Sequence, residues 1–204
     1  MAEELILRVS HDSDVENPLE HTGWKLVSFS NRHANYESRD TVMERYCIPV
    51  IGAKLKREPG DRPEQVYAGT FFTLTYFEHG NCLWSLSGEG PNCRFDSVRF
   101  AGLLIHEGDV ADLPDTLEER REMAQGIVET YSAYCNGFVY GYQLFQPQPA
   151  CEMCGIPPEP EAIGSCWGFY DAEHMVSHVR SEAAPDGATF KVTGDAAFFV
   201  EDHL

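Results

Sequence analysis

The sequence predicts an α+β fold, a mainly antiparallel sheet packed against one long and one shorter helix, with an inserted Cys/Pro-rich loop. Three observations carry this expectation. Strand-like runs rich in β-branched and aromatic residues outnumber helical ones and cluster before the long helix. Residues 116–135 show the three- and four-residue apolar spacing of a buried helical stripe. No Gly-rich phosphate loop joins a strand to a helix, which argues against a nucleotide fold of that type.

Taken in order, "HDSDVENPLEHT" (11–22) is polar and reads as a loop. "GWKLVSFSNRH" (23–33) alternates Trp24, Leu26 and Ser28 against Lys25, Val27 and Phe29, a strand running into a polar turn. "RYCIPVIGAKL" (45–55) is apolar, but Pro49 restricts it to an edge strand or irregular chain, and 56–65 carries Pro-Gly and Arg-Pro turn signals. "VYAGTFFTLTYFEHG" (66–80) is the clearest strand, turning at Gly80 and Asn81 into "CLWSLSG" (82–88). With "SVRFAGLLIH" (97–106) these runs suggest an antiparallel meander.

The helix over 116–135 has a capping-box pattern in Thr116 and Glu119, and Leu117, Ala124, Ile127, Val128, Tyr131 and Cys135 form its stripe. Asn136-Gly137 stops it. "FVYGYQLFQ" (138–146) returns as a strand with Phe138, Tyr140 and Tyr142 on one face. Residues 147–164 are Pro-rich and insertion-like. A second helix runs 172–183 behind an Asp171 cap, and 188–200 ends in strand-like segments around Gly194. The 204 residues suit a single domain, 1–204.

Charge is the outlier. Lys and Arg number 15 against 33 Asp and Glu, a net −18. Residues 1–68 carry −3, 69–135 carry −7 and 136–204 carry −8. Such a surface repels nucleic acid and anionic membranes and attracts a basic protein surface. It also serves solubility alone. The opening "MAEELILRVS" lacks a signal-peptide pattern, and no apolar run approaches a membrane span. Seven cysteines, an odd number without a secretory signal, suggest reduced thiols in a cytosol.

"YFEHGNCLWSLSG" (76–88), "FDSVRFAGLL" (95–104), "VETYSAYCNGFVYGYQLF" (128–145) and "SCWGFYDAEHM" (165–175) occur in an order that resembles a family of small accessory proteins encoded by phages and mobile elements. The match covers roughly residues 23–183 by motif order. It implies expression inside an infected cell, a small α+β domain and a dispensable or host-directed role. Asp171 departs from the pattern, since many relatives have Gly after the tyrosine.

Candidate chemistry is thin. Glu78 and His79 end a strand, but adjacent strand residues point to opposite faces, so His79 pairs better with Asp96, with His106 as a third candidate. Hydrogen bonding at a sheet edge explains these residues equally well. The aromatic set of Trp84, Tyr140, Tyr142 and "CWGFY" (166–170) suits a ligand pocket or simply a core, with Gly141 and Gly168 permitting close packing against the rings. Cys151-x-x-Cys154-Gly has the turn of a zinc knuckle, and His174-x-x-x-His178 places two rings on one helix face. One structural zinc on Cys151, Cys154, His174 and His178 is therefore the expected cofactor. Cys166 reads better as a small buried residue.

The leading expectation is an acidic, phage-encoded protein that binds a host protein with a basic surface, in host takeover or counter-defence, in the cytoplasm of the infected cell. Direct binding of nucleic acid or membrane is not expected. The alternatives are an enzyme or small-molecule binder using an aromatic pocket with His79, Asp96 and His106, or a structural component of the virion.

Overall fold

Ten strands and three α-helices occur among the described residues of the computed structural model, which are 4–46, 50–51, 54–55 and 69–204. The α+β class is as the sequence predicts. The chain divides into two compact units, Glu16–Asn136 and Met1–Val15 with Gly137–Leu204.

In the 16–136 unit, β2 (Trp24–Ser28), β5 (Phe71–His79), β6 (Asn81–Leu86) and β7 (Ser97–His106) form an antiparallel sheet in the order β2-β7-β5-β6. The expected meander is corrected here, because β7 pairs with β5 and β2 rather than with β6. The physical reason lies in composition. Residues 100–105 are buried throughout, and a strand apolar on both faces needs a partner on each side. Gly102 makes the β2–β7 approach possible, since a Cβ there would lie 2.1 Å from the Val27 carbonyl oxygen.

Helix α2 (Leu117–Cys135) packs Ala124 and Val128 against Trp24, Leu26, Phe72, Leu74, Trp84 and Leu86 on one face of this sheet. The other face buries Val27, Phe71, Phe100, Leu103 and Ile105 with Val42 of α1 (Arg39–Tyr46), a helix the sequence reading did not foresee. The capping box forms as expected, with Thr116 Oγ1 accepting from the Glu119 N–H and Glu119 Oε2 accepting from the Thr116 N–H, each at 3.2 Å. The far end of α2 covers the edge strand. Ser132 Oγ accepts from the Trp84 N–H at 2.9 Å, and Asn136 bonds both the N–H and the C=O of Cys82 at 2.8 and 2.7 Å. Within the run 45–55, the two-residue strands β3 (Val50–Ile51) and β4 (Lys54–Leu55) pair antiparallel. Pro49 and the turn signals of 56–65 lie outside the described residues.

In the other unit, β1 (Glu4–His11), β8 (Tyr140–Gln146), β9 (Glu161–Phe169) and β10 (Thr189–Thr193) form a sheet in the order β10-β1-β8-β9, with only the β1–β10 pair parallel. Leu5, Leu7 and Val9 alternate into a core with Tyr140, Tyr142, Leu144, Phe169 and the buried face of α3 (Ala172–His178). The Asp171 cap is present, accepting from the His174 N–H at 2.7 Å. The second helix ends at His178 and passes into one wider turn, Val179–Ala183, instead of continuing to 183 as an α-helix. The expected loop 147–164 is shorter, because residues 161–164 already belong to β9.

Two aromatic expectations change. Phe138 precedes the strand and is exposed. Trp167 is 45% exposed, lying over Gly141, where a Cβ would come within 1.9 Å of its ring. A register shift between Tyr140 and Tyr142 sets residues 167–168 opposite Gly141, and Gly168 takes the left-handed φ of +85° that this bulge requires. Gly141 thus permits close packing, whereas Gly168 permits the turn.

Candidate functional site

The catalytic candidates from the sequence divide. His79 Nδ1 lies 3.4 Å from Asp96 Oδ2, so that pair forms, on an exposed turn where Cys93 Sγ also donates to Asp96 Oδ2. His106 is at the opposite end of β7, more than about 20 Å along the strand. There its ring packs on Trp24 at 4.9 Å, and its Nδ1 is buried without a hydrogen-bond partner among the described residues. An aromatic pocket shared by His79, Asp96 and His106 is therefore not what this chain builds.

The metal candidates also divide. The Cys151–Gly155 turn closes through the Gly155 N–H on the Cys151 carbonyl at 2.8 Å. The backbone N–H groups of Cys154 and Met153, then the Cys154 thiol, hold the Cys151 thiol below its ordinary pKa. Two thiolates on one side of a turn fit half of a tetrahedral zinc site. His174 and His178 instead pack edge-on against the Phe169 ring, each at 5.5 Å, and His178 Nδ1 shares a 3.0 Å hydrogen bond with the Tyr142 hydroxyl. Among the described residues no group of three or more His, Cys, Asp or Glu is placed to hold one ion. Cys166, expected as a small buried residue, is half-buried and packs against the core.

The sequence reading missed a different constellation in the 16–136 unit. Strand β2 stops at Ser28, opposite Gly102, while β7 and β5 continue past it. The segment 29–38 folds over the exposed ends. It is tied down by the Ser28 N–H on the Asn35 carbonyl at 3.0 Å, the Glu37 N–H on the Ser28 carbonyl at 3.0 Å and Asn35 Nδ2 on the Leu26 carbonyl at 2.9 Å. The space left holds a cavity of about 220 Å³ whose walls include Phe29, Arg32, His33, Arg39, Tyr76, Glu78, Val98 and Phe100.

The β5–β7 register shifts between Leu74 and Tyr76, so that residues 99–101 oppose Thr75 alone. Phe100 sits in this bulge at a φ of +56°, an unusual conformation for a bulky side chain that costs about 1–3 kcal/mol. The bulge turns its ring to within 5.2 Å of Phe29, and the Arg39 guanidinium lies 5.3 Å from each of the two rings. Opposite them, His33 packs on Tyr76 and Trp84 at 4.7 and 5.3 Å. His33 Nδ1 shares a 2.7 Å hydrogen bond with Ser28 Oγ, which also accepts from the Ser30 N–H. Burial first, and the Arg32 charge in addition, lower the His33 pKa against the opposing pull of Glu78, so the ring is neutral at pH 7. The Tyr76 hydroxyl donates to Glu78 Oε2 at 3.1 Å, and burial raises the phenol's pKa.

A polar stretch, "SNRHANYESR" (30–39), carries Arg32, His33 and Arg39, but nothing in its linear pattern shows that a bulge about 60 residues later completes their pocket. In comparisons with protein-family models, curated proteins and solved structures, the chain matches none.

Proposed function

We propose that this chain is an accessory protein of a phage or mobile element that acts by binding, engaging a basic host protein through the acidic surface of the unit formed by residues 1–15 and 137–204. The observation that carries the reading is the concentration of charge. This unit has 3 basic against 14 acidic residues, net −11, whereas residues 16–136 have 12 against 19, net −7. Asp171, Glu173, Glu182, Asp186, Asp195, Glu201 and Asp202 are all exposed, along a stretch where Arg180 and Lys191 are the only basic residues. Arg180 is itself engaged, donating to the Leu204 carbonyl at 2.7 Å. Fields of this kind steer a complementary partner and repel nucleic acid. Among the described residues no helix is long and apolar enough to cross a membrane.

The test is capture of host proteins at about 0.1 M and about 1 M salt, beside a variant with Glu173, Glu182, Asp186 and Asp195 changed to Lys. One partner held at low salt, released at high salt and absent with the variant is the expected result. No partner, or one indifferent to both changes, overturns the reading. The proposed structural zinc requires loop 147–160 to carry Cys151 and Cys154 to the α3 histidines, and metal binding would have to stabilise that arrangement. Native mass spectrometry reads it directly. One zinc per chain, lost in Cys151→Ser/Cys154→Ser, is expected, and metal-free protein after expression with added zinc overturns it.

A further inference from the structure

The cavity beneath the 29–38 segment has features that packing alone does not require. Its apolar wall is aromatic, from Phe29, Phe100 and the Tyr76 ring, with Val98 left exposed beside them. Its polar rim carries two guanidinium groups, Arg32 and Arg39, against one carboxylate, Glu78, with His33 neutral. That is a net +1 within a chain of net −18. The site is also built before any ligand arrives. The segment is fixed to β2 by backbone and Asn35 hydrogen bonds, and Phe100 is held in a strained backbone conformation that aims its ring here. Strain of this sort persists where the surrounding structure over-determines it, and it concentrates at ligand sites.

Each group asks for a particular ligand feature. Aromatic walls stack a planar ring without regard to its identity. The exposed Arg32 guanidinium in the lining matches a phosphate, for which its planar fork is suited. A carboxylate that accepts the Tyr76 hydroxyl hydrogen bond on one oxygen retains acceptor capacity for an amino group. A simple aromatic acid has no use for Glu78, and a bare phosphate has no use for the rings. A cavity of about 220 Å³ is below the usual range of about 300–1,000 Å³ for drug-sized ligands, so it suits one base and its phosphate, not a longer oligonucleotide. We propose that this cavity binds a nucleoside monophosphate whose base carries an exocyclic amine. The base stacks on the Arg39 guanidinium, itself seated over Phe29 and Phe100, beside Tyr76 and Val98, while Glu78 accepts from its amine and Arg32 takes the phosphate. The site belongs to residues 16–136, and its failure leaves the host-binding reading of the other unit untouched.

The experiment is titration of the full chain with AMP, IMP, adenosine and inorganic phosphate, followed by calorimetry and by amide chemical shifts. AMP is expected to bind with a Kd below about 1 mM, with shifts concentrated in residues 28–39 and 76–78. IMP, which lacks the amine, binds at least about fivefold more weakly, and adenosine and phosphate each lose at least about tenfold. Arg32→Ala weakens AMP by at least about tenfold, since it removes a charge-assisted contact. Because Arg39 also packs on two rings, Arg39→Lys is used in place of alanine. It keeps the charge, loses the planar stacking face and weakens AMP, while its thermal midpoint shows that the fold is intact. Arg94→Ala, outside the cavity, leaves binding unchanged. Absence of AMP binding up to about 10 mM overturns the proposal. So does binding that Arg32→Ala leaves intact, or IMP binding as tightly as AMP.

Discussion

The two units meet the same physical demand, a sheet with an apolar core on a small chain, and they meet it with opposite devices at their edges and surfaces. In the 16–136 unit the edge strand β6 is covered by side chains of α2, Ser132 and Asn136 supplying the partners its backbone lacks. In the other unit the edge strands protect themselves. β9 is interrupted by two register shifts, and β10 places Lys191 on its exposed face. One unit buries both faces of its sheet and keeps a lined cavity, and the other concentrates acidic charge. The lesson is that a covered sheet can retain a built pocket, whereas a charged shell is suited to meeting another surface.

The sharpest way to break this comparison is through the two glycines at which backbone meets backbone. At Gly102 a Cβ would fall 2.1 Å from the Val27 carbonyl oxygen. At Gly194, with φ +107°, it would fall 2.0 Å from that of Val9. Neither obstacle is a side chain that can rotate away, so Gly102→Ala and Gly194→Ala are each expected to cost at least about 3 kcal/mol. Hydrogen exchange assigns the damage. Gly102→Ala should strip protection from β2, β5 and β7 while β1 and β8 retain theirs, and Gly194→Ala should do the reverse. Loss of protection in both sheets from either change would show a single cooperative structure.

The next effect tests how the edge of β6 is covered. Ser132→Ala leaves the Trp84 N–H, buried under α2, without its acceptor, and Asn136→Ala does the same to both backbone groups of Cys82. Each should lower stability by about 1–3 kcal/mol in chemical denaturation. A cost near zero would mean that water replaces these partners and that the helix end is not what protects the edge.

What the sequence made legible divides along the same line. Elements specified by local chemistry were readable. The Thr116–Glu119 box, the Asn136-Gly137 stop, the Asp171 cap and the Gly80 hairpin all depend on residues within four positions of one another. Strand order was not readable, because a linear pattern does not say whether 97–106 pairs with 82–88 or with 71–79. Strand β1 was missed although Leu5, Leu7 and Val9 alternate plainly, since the polar residues around them draw attention to charge. The cavity was missed for a deeper reason. Its walls come from 29–39, 76–78 and 98–101, and the turn that aims Phe100 is a left-handed residue in a bulge with no glycine to announce it. His79 and Asp96 were found as a pair because they flank one hairpin and its return, while His106 was joined to them by residue type alone.

A smaller effect separates the two helix caps. Thr116 is half of a reciprocal pair, while Asp171 accepts a single N–H. Thr116→Ala and Asp171→Ala should each cost about 1 kcal/mol, with Thr116→Ala the larger because Glu119 loses its orienting partner as well. Thermal midpoints read the order, and equal or reversed costs would show that the second bond of the box contributes nothing.

The mildest expected effect is a pH dependence confined to the cavity unit. Burial and the Arg32 charge lower the folded pKa of His33 below its ordinary value of 6.5, with Glu78 opposing them. In the unfolded chain the ring returns to about 6.5. Above that pH both states are neutral, and the contribution of the unprotonated ring to stability is complete. As pH falls below it, the unfolded chain takes up a proton that the folded ring resists, and stability declines until the folded pKa is passed. The neutral ring is also the form that shares its Nδ1 with a Ser28 hydroxyl already accepting from Ser30. Unfolding midpoints at about pH 7.5 and about pH 5.5 should therefore differ by less in His33→Gln than in the native chain, with the change read from the amides of β2 and β5. Because the ring is only partly buried, the difference is small, but its sign is fixed. A native 16–136 unit that becomes more stable on acidification, with His33→Gln abolishing that gain, would mean that His33 is charged in the fold and that the cavity holds three cations against one carboxylate.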